Sequence, residues 1–265
     1  MKNSKELLWN NISQLPFFRG FLRAVEGNFY SAVVFREPIL DLGCGDGHFA
    51  VNSFEKKIII GIEPYYHILQ AAKEYGFYHL LNNCCGDRLP FANGFFKTVI
   101  SNSVLEHILD VDAVFHEVSR VLKQGGQFAI TVPNDLFTKN LYLAKLLDKM
   151  SLSFAAEWYR KIFNFISRHH HTDSQELWET RFTKHGFRIL ESWNYFPPES
   201  LKILEIGHYL GLPAWINKQL FGRWVIFQSK KNIYLRFIYN QLVDVYNLDQ
   251  RSDNGAYTFF IAQKT

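Results

Sequence analysis

Cysteine is scarce in this chain of 265 residues, which contains three: Cys44, Cys84 and Cys85. Thiols at these positions provide neither a disulfide framework nor a spacing typical of metal ligands, and the adjacent pair would form a strained bridge. We therefore expect reduced thiols in a cytoplasmic protein.

Long apolar runs and an excess of one charge are also lacking. No stretch approaches the roughly 18 uninterrupted apolar residues of a membrane-spanning helix, and residues 1–11 lack the apolar segment of a secretory signal. The formal net charge is +4. Because the basic residues are scattered rather than concentrated, we expect no nucleic-acid partner.

The chain is instead rich in apolar residues, at 48%, and in aromatic residues, at 17%. This composition suits one α/β domain with a sizeable core. One or two amphipathic helices, broken near Pro16, are expected over 5–35. From Pro38 onward, apolar runs alternate with helical patterns, which is typical of a parallel sheet. The strands of this part are expected at 38–42, 57–62, 78–81, 98–101 and 127–132.

The alternation of strands and helices stops after Pro133. The last helix before it, 111–122, is expected to end at Gly125-Gly126. Residues 135–168 then predict two aromatic-rich helices. A helix over 173–185, capped by Thr172 or Asp173, is expected next. It is followed by a strand at 187–195, a mostly helical segment at 200–247 and a last strand at 256–263.

A glycine-rich turn after the first strand is the most informative segment. Glycines at 43, 45 and 47 let the backbone turn tightly and approach a ligand closely. His48 stands where a dinucleotide fingerprint has its third glycine, which disfavours an NAD-dependent oxidoreductase. Glu63 ends the next strand, 20 residues after Gly43. A carboxylate there can accept hydrogen bonds from both ribose hydroxyls of an adenosine.

Residues 38–134 resemble the type 11 group of class I S-adenosylmethionine-dependent methyltransferases. Asp41 and the three glycines match the family's motif I, which holds the methionine part of the cofactor, and Glu63 matches its ribose-binding acid. The segments 99–107 and 120–126 resemble the fourth strand with its following turn and the approach to the fifth strand. The resemblance implies a Rossmann-like, doubly wound sheet in the order 3-2-1-4-5-7-6 with an antiparallel seventh strand.

Three positions depart from the family pattern. Cys85 stands where an Asp usually binds the adenine amino group, although Asp87 could serve if the loop is shorter. Lys97 replaces an acid, and Lys123-Gln124 replaces Lys-Pro. Motif I and the ribose-binding acid are intact, so we expect S-adenosylmethionine as cofactor. Its predicted contacts are Asp41, Gly43, Cys44, Gly45, Gly47, Glu63, Pro64, Asp87, Asn102 and Ser103.

The methyl acceptor is expected beyond the carboxyl ends of the fourth and fifth strands, near Asn102, Ser103, Glu106 and His107. His107 is the first candidate for a general base, and a hydrogen-bonded residue at the sheet edge is the alternative. Three consecutive histidines, 169–171, cannot all face one ligand, so no metal site is expected. The predicted substrate contacts are Arg19, Arg23, Asn134, His169 and His171.

We divide the chain as a single methyltransferase domain, 1–265. Its predicted parts are an N-terminal helical cap (1–35), the cofactor-binding core (36–134), a helical lid (135–172), a helix with strand six (173–196), a helical insertion (197–254) and the last strand (255–265).

Two helical segments, 135–172 and about 197–254, lie outside the minimal fold and are rich in large apolar residues. Such surfaces most often pack within their own domain, but a hydrophobic acceptor pocket, a homodimer interface or a peripheral membrane contact are alternatives. We expect methyl transfer to a bulky, partly hydrophobic small molecule or a lipid- or glycan-linked acceptor. A protein that binds the cofactor without turnover and a protein methyltransferase remain the competing hypotheses.

Overall fold

A seven-stranded sheet forms the centre of the chain. The computed structural model describes residues 4–55, 58, 60–225, 228–229 and 231–265. The strands in these residues are β1 (Ile39–Leu42), β2 (Ile60–Ile62), β3 (Leu80–Asn82), β4 (Phe96–Asn102), β5 (Leu122–Pro133), β6 (Phe187–Tyr195) and β7 (Tyr257–Lys264).

The strand order is β3-β2-β1-β4-β5-β7-β6. Strand β7 runs antiparallel to both of its neighbours, whereas β1 to β5 pair in parallel. The predicted Rossmann-like fold is therefore confirmed, including the antiparallel strand near the edge. Because β1 and β4 are central neighbours, their carboxyl ends open a crevice where ligands bind in sheets of this type.

The described residues also contain helices on both faces of this sheet. They are α1 (Ser4–Gln14), α2 (Phe17–Ala32), α3 (His48–Ser53), α4 (Tyr66–Glu74), α5 (Val111–Val121), α6 (Leu136–Lys139), α7 (Tyr142–Lys149), α8 (Ser153–Ser167), α9 (Gln175–Lys184), α10 (Pro198–Leu210), α11 (Leu212–Phe221) and α12 (Ile233–Asn247).

Alternate residues of the central strands face two separate cores, as the two-residue period of a strand requires. Val99 and Phe128 pack with α5 and α9 on one face of the sheet. Ile100 and Phe259 pack with α1, α2 and α12 on the other. The break near Pro16 separates α1 from α2, as expected, because proline has no N–H to donate within a helix. The N-terminal helices therefore cover one face of the central sheet.

Several predicted boundaries were wrong. Helix α9 is capped by Ser174, whose Oγ accepts the Leu177 N–H, and not by Thr172 or Asp173. Contrary to the prediction, Gly125 and Gly126 do not end α5. Strand β5 already begins at Leu122, which pairs with Phe96, and the two glycines lie within β5 where the pairing register shifts. Residues 135–168 hold three helices in place of two, with the turn after α6 held by the Asn140 side chain on the Asn254 carbonyl, 2.9 Å away.

Some predictions lie outside the described residues. They concern Lys57 and Ile59 of the second predicted strand, and Ile226, Phe227 and Lys230 of the later helical insertion. Among the helices that the structure does describe, none combines the length and apolar character needed to cross a membrane.

Candidate active site

The glycine turn after β1 is held by short backbone contacts. Gly43, Gly45 and Gly47 have φ angles of 76°, 56° and 79°, in the left-handed region that favours glycine. The N–H groups of Gly43 and Cys44 donate to the Ile62 carbonyl at 3.0 and 2.9 Å. These bonds fix the turn against the end of β2.

The two sides of this turn differ in available space. A Cβ on Gly43 would lie 2.5 Å from Val104 Cγ1, so the protein itself fills that side. A Cβ on Gly45 would meet no atom within 4 Å. The turn therefore presents backbone to an open side at Gly45, which is the arrangement that lets a ligand approach closely.

Glu63 joins the turn to the end of β2. Its Oε2 accepts the Gly45 N–H at 3.2 Å and its Oε1 accepts the Tyr65 N–H at 3.1 Å. Burial raises the pKa of this carboxyl, which is 6% exposed. An ionised carboxylate has about four acceptor sites, so two protein donors leave room for two more hydrogen bonds. That capacity matches a ribose diol.

Asp41 supports the turn from behind. The Tyr78 hydroxyl donates to Asp41 Oδ2 at 2.6 Å, and both side chains are buried. Burial raises the pKa of Asp41 to about 7, although the Tyr78 hydrogen bond acts in the opposite direction. Because the Asp41 carboxylate contacts Tyr78, Asp41 would influence a bound ligand by fixing the position of the turn.

The loop after β3 carries the two candidates for the adenine contact. Both Cys85 and Asp87 are exposed there, and the choice between them stays a prediction. Asn83, which the sequence analysis did not single out, donates through Nδ2 to the carbonyls of Glu63 and Pro64, at 2.8 Å each. These bonds hold the segment that follows β2 against the loop.

A buried acid, Glu26, lies beside the carboxyl end of β4. It belongs to α2 and is fully buried. Its carboxylate accepts hydrogen bonds from its own helix, from the end of β4 and from β6. The donors are Arg23 Nη1 at 2.6 Å, Asn102 Nδ2 at 2.9 Å, Ser103 Oγ at 2.8 Å and Tyr195 Oη at 2.9 Å.

The predicted cofactor residues Asn102 and Ser103 are therefore directed at Glu26 in this structure. Thr131 Oγ1 donates to Asn102 Oδ1 at 2.9 Å, which completes the network. Ser103 has a φ of 50°, an unusual value for a residue other than glycine. Strained backbone of this kind is concentrated at functional sites, where surrounding contacts maintain it.

Arginines line the same region. Burial acts to lower the pKa of Arg23, but the Glu26 carboxylate outweighs it and the pKa is raised. One turn earlier on α2, Arg19 is exposed, and its guanidinium lies 5.6 Å from the centre of the Trp224 ring. Surrounding protein, followed by the charge of Arg23, lowers the pKa of Arg19 to about 10.

Two histidines and an acid meet beside this charged region. Glu106 and His107 form a short turn after β4, and His169 follows α8. The rings of His107 and His169 lie 5.4 Å apart, centre to centre. Burial raises the pKa of Glu106 to about 8 and lowers that of His169 to about 3.

Two predicted substrate residues, Asn134 and His171, make contacts within the fold. Asn134 is buried, and its Nδ2 donates to the Gly255 carbonyl and to Thr258 Oγ1 at 2.9 and 3.0 Å. His171 lies between the Ile108 carbonyl, 3.0 Å from Nε2, and Asp173, 3.2 Å from Nδ1. These contacts hold the polar groups of both side chains within the fold, and their substrate role stays a prediction.

The sequence analysis missed Glu26 and Arg168. Glu26 did carry a signal, because it stands next to Val25 on the apolar face of α2, one turn after Leu22. An acid on such a face needs a buried partner. Arg168 gave no comparable signal, since its contribution is the backbone carbonyl that His107 Nδ1 contacts at 2.8 Å.

Comparison with known proteins agrees with this geometry. The fold is similar to that of an S-adenosylmethionine-dependent methyltransferase from Thermotoga maritima, a possible histamine N-methyltransferase. The TM-score is 0.56 and the sequence identity is 16%, and the match covers 92% of this chain and 90% of that one. The class I methyltransferase fold is thus established. Residues 40–130 match the sequence model of the type 11 methyltransferase domain.

Two curated relatives are similar to part of this chain. A malonyl-[acyl-carrier protein] O-methyltransferase from Legionella pneumophila is 30% identical over 137 residues, 49% of this chain and 45% of the relative. A sterol 24-C-methyltransferase from Pneumocystis carinii is 33% identical over 101 residues, 35% of this chain and 27% of the relative. The chain thus spans less than half the length of either curated relative.

Proposed function

We propose that this protein transfers the methyl group of S-adenosylmethionine to a bulky, partly hydrophobic small molecule or lipid-linked acceptor. The observation that carries the proposal is the Glu63 carboxylate, which is bonded to the Gly45 N–H of the motif I turn and retains free acceptor sites. A turn open at Gly45 beside such an acid suits an adenosine with its attached amino acid.

The residues present fit this cofactor. Gly43 to Gly47 would hold its methionine part, Glu63 its ribose, and Asp87 or Cys85 its adenine. The cofactor supplies an activated methyl group on a sulfonium, which an acceptor takes by in-line displacement. Because such a transfer depends strongly on alignment, the main task of the chain is to hold and orient both reactants and to exclude water.

Several features support a hydrophobic acceptor. Helix α8 exposes Phe154, Trp158 and Phe165, at 88%, 61% and 82% of their surfaces. Exposed aromatic side chains on one segment are typical of surfaces that contact apolar ligands, lipids or partners. The relatives named for a sterol and for an acyl-carrier-protein ester act on large acceptors, which agrees with this choice.

Arg19 and His107 are the proposed polar contacts of the acceptor. In the described part of the chain, the one side-chain partner of Arg19 is the Trp224 ring, so its guanidinium is available to a carboxylate or phosphate of the acceptor. His107 is 43% exposed, and its Nδ1 lies on a carbonyl oxygen. Its Nε2 therefore carries the lone pair that a general base needs.

Cofactor binding is tested by calorimetry with S-adenosylmethionine, S-adenosylhomocysteine and NAD. We expect micromolar binding of the first two and none of NAD. Glu63→Gln should weaken both by about 10-fold or more, because hydrogen bonds to a charged acceptor contribute roughly 1.5–3 kcal/mol each. Glu74→Gln, a change of an exposed acid on α4, is the matched control. Binding of NAD alone, or unchanged affinity in Glu63→Gln, would contradict the proposal.

Turnover is tested separately with methyl-labelled S-adenosylmethionine and a host extract. Label that partitions into organic solvent supports a lipid-linked or hydrophobic acceptor, and label in precipitated protein supports the protein methyltransferase alternative. Strong cofactor binding without transfer to any fraction would support a protein that binds the cofactor but does not turn it over.

A further inference from the structure

The side chains of Glu106, His107 and His169 form a cluster at the carboxyl end of β4. Each offers a potential ligand atom, and these atoms all lie within 4.8 Å of one another. His107 Nε2 is 3.8 Å from Glu106 Oε1. Two atoms that share one zinc ion lie at most about 4.2 Å apart, because each bond to zinc is about 2.0–2.2 Å long. The 3.8 Å separation meets this limit, and any pair that is wider has to close by a few tenths of an ångström when an ion binds.

The protonation of His107 is set by its backbone partner. Nδ1 lies 2.8 Å from the Arg168 carbonyl oxygen, and a carbonyl can only accept. Nδ1 therefore carries the proton, and the Nε2 lone pair points away from that bond. Metal-binding histidines are typically oriented in this way, with the second ring nitrogen bonded to a carbonyl or carboxylate.

A second observation is that two polar atoms of the cluster are buried without a partner. Among the described residues, neither Glu106 Oε2 nor His169 Nδ1 has a hydrogen bond. A buried polar atom left unpaired costs about 1–3 kcal/mol, and more when it is charged. The Glu106 side chain is 1% exposed, so solvent cannot supply the missing bond.

We propose that Glu106, His107 and His169 bind one divalent first-row transition-metal ion, with Zn²⁺ as the preferred occupant. Two imidazoles and a carboxylate form a ligand set that suits such ions better than Mg²⁺ or Ca²⁺. Three protein ligands leave a coordination position for an oxygen of water or of the acceptor. The partial exposure of His107, at 43%, provides the route by which an ion enters.

The surrounding charge is compatible with a cation. The charge of Arg23 acts on Glu106, and those of Arg23 and Arg19 act on His107. Glu26 pairs with Arg23 at 2.6 Å and offsets part of this positive charge. The sequence predicted no metal site because the three histidines at 169–171 cannot all face one ligand. In the fold, only His169 of these three joins the cluster, and the other two members come from the turn after β4. This inference goes beyond methyl transfer, and it makes His107 a ligand in place of a base.

The test uses the full chain after treatment with a chelator. Titration with Co²⁺, followed by visible absorption, and with Zn²⁺, followed by calorimetry, should show one site with micromolar or tighter affinity. His169→Ala and Glu106→Gln should each weaken binding by about 100-fold. His170→Ala is the matched control, because His170 is exposed beside the cluster, and it should change affinity by less than about threefold.

Two further measurements separate loss of the metal site from misfolding, and neither requires methyl transfer. They are thermal unfolding with and without Zn²⁺ and the binding of S-adenosylhomocysteine. Zn²⁺ should raise the Tm of the wild type and of His170→Ala but not of His169→Ala, since only a cation bound to the folded state stabilises it. Variants that bind S-adenosylhomocysteine normally are folded at the cofactor turn. Absence of one-site binding in the wild type, or equal affinity in His169→Ala, would overturn the proposal.

Discussion

The glycine turn after β1, which is the proposed cofactor site, and the proposed acceptor side of the crevice are built from different kinds of contact. The turn is held by backbone groups of residues close in sequence, such as the Gly43 and Cys44 N–H groups on the Ile62 carbonyl. The acceptor side depends on buried charged side chains from distant segments, such as Glu26 of α2 on Ser103 after β4. The two regions meet at β4 but have little chemistry in common.

This difference determines how each region fails. A backbone turn tolerates many side chains but requires particular φ angles, so its weak points are glycines. A network of buried charges tolerates backbone variation but leaves an uncompensated charge when one member is removed, at a cost of about 3–5 kcal/mol. We therefore expect substitutions to separate cofactor binding from acceptor binding.

The largest effect is expected from Gly43→Ala. The new Cβ would lie 2.5 Å from Val104 at a φ of 76°, so both strain and overpacking apply. We expect a loss of about 3 kcal/mol of unfolding free energy and no measurable binding of S-adenosylhomocysteine.

Gly45→Ala provides the matched comparison, because its Cβ would meet no atom within 4 Å. It should lose affinity for S-adenosylhomocysteine by at least about 10-fold while losing only about 1–2 kcal/mol of stability. Gly76→Ala, with a φ of 59° and free space away from the turn, controls for strain alone. Normal binding in Gly45→Ala would show that this side of the turn does not face the cofactor.

The next largest effect concerns the pair of Arg23 and Glu26. Glu26→Gln should reduce the unfolding free energy by about 3 kcal/mol, because it leaves the Arg23 charge poorly compensated at a position that is only 20% exposed. In a double-mutant cycle with Arg23→Met, urea unfolding should give a coupling energy of about 1–3 kcal/mol.

Binding of S-adenosylhomocysteine shows whether the two regions are independent. If they are, Glu26→Gln should change this affinity by less than about threefold, since the turn is held by its own backbone contacts. A loss of affinity comparable with that in Gly45→Ala would mean that Asn102 and Ser103 couple the Glu26 network to the cofactor site.

The cofactor turn could be predicted from the sequence because its contacts are local. Strand, glycine spacing and Glu63 occupy one continuous stretch, and backbone geometry relates them directly. The strand order was also predictable, since the family resemblance implies it. Cys85 and Asp87 could not be distinguished, because both lie in an exposed loop with no packing to fix one of them.

The acceptor side could be predicted only in part. His107 and Glu106 were expected at the end of the fourth strand, as sheet topology requires. Their meeting with His169 depends on the path of α7 and α8, which no local pattern encodes. Glu26 illustrates the same limit, since its position on an apolar face indicates burial but not which strand supplies its partners.

A smaller effect is expected in the pH dependence of stability, which tests the support of the turn. Burial raises the pKa of Asp41 to about 7 in the folded chain, from about 4 when unfolded. The folded state therefore keeps a proton that the unfolded state has lost, and this stabilisation declines as pH rises from about 4 through 7. The titratable groups that interact with Asp41 include Tyr78, Glu63, Cys44 and Tyr30.

Asp41→Asn keeps an acceptor for the Tyr78 hydroxyl but cannot ionise. Its unfolding free energy should fall less than that of the wild type between pH 5 and 8, by a difference of up to about 2.7 kcal/mol. Two pH units separate pH 5 from the pKa of about 7, and each corresponds to about 1.4 kcal/mol. Asp87→Asn, at an exposed position, should follow the wild-type curve. Parallel curves for wild type and Asp41→Asn would show that Asp41 is ionised in the folded protein throughout this range.

The smallest effect on stability is expected from Arg19→Ala, which completes the comparison on the acceptor side. Arg19 is exposed, and within the described residues its guanidinium contacts the Trp224 ring and no carboxylate, so the unfolding free energy should change by less than about 0.5 kcal/mol. If its guanidinium holds a negative group of the acceptor, the KM for that acceptor should rise about 10-fold with little change in kcat. Arg19→Lys should restore part of the loss, and Arg223→Ala, another exposed arginine, should have no effect. An unchanged KM in Arg19→Ala would remove α2 from the acceptor site and leave the buried network around Glu26 as a purely structural feature.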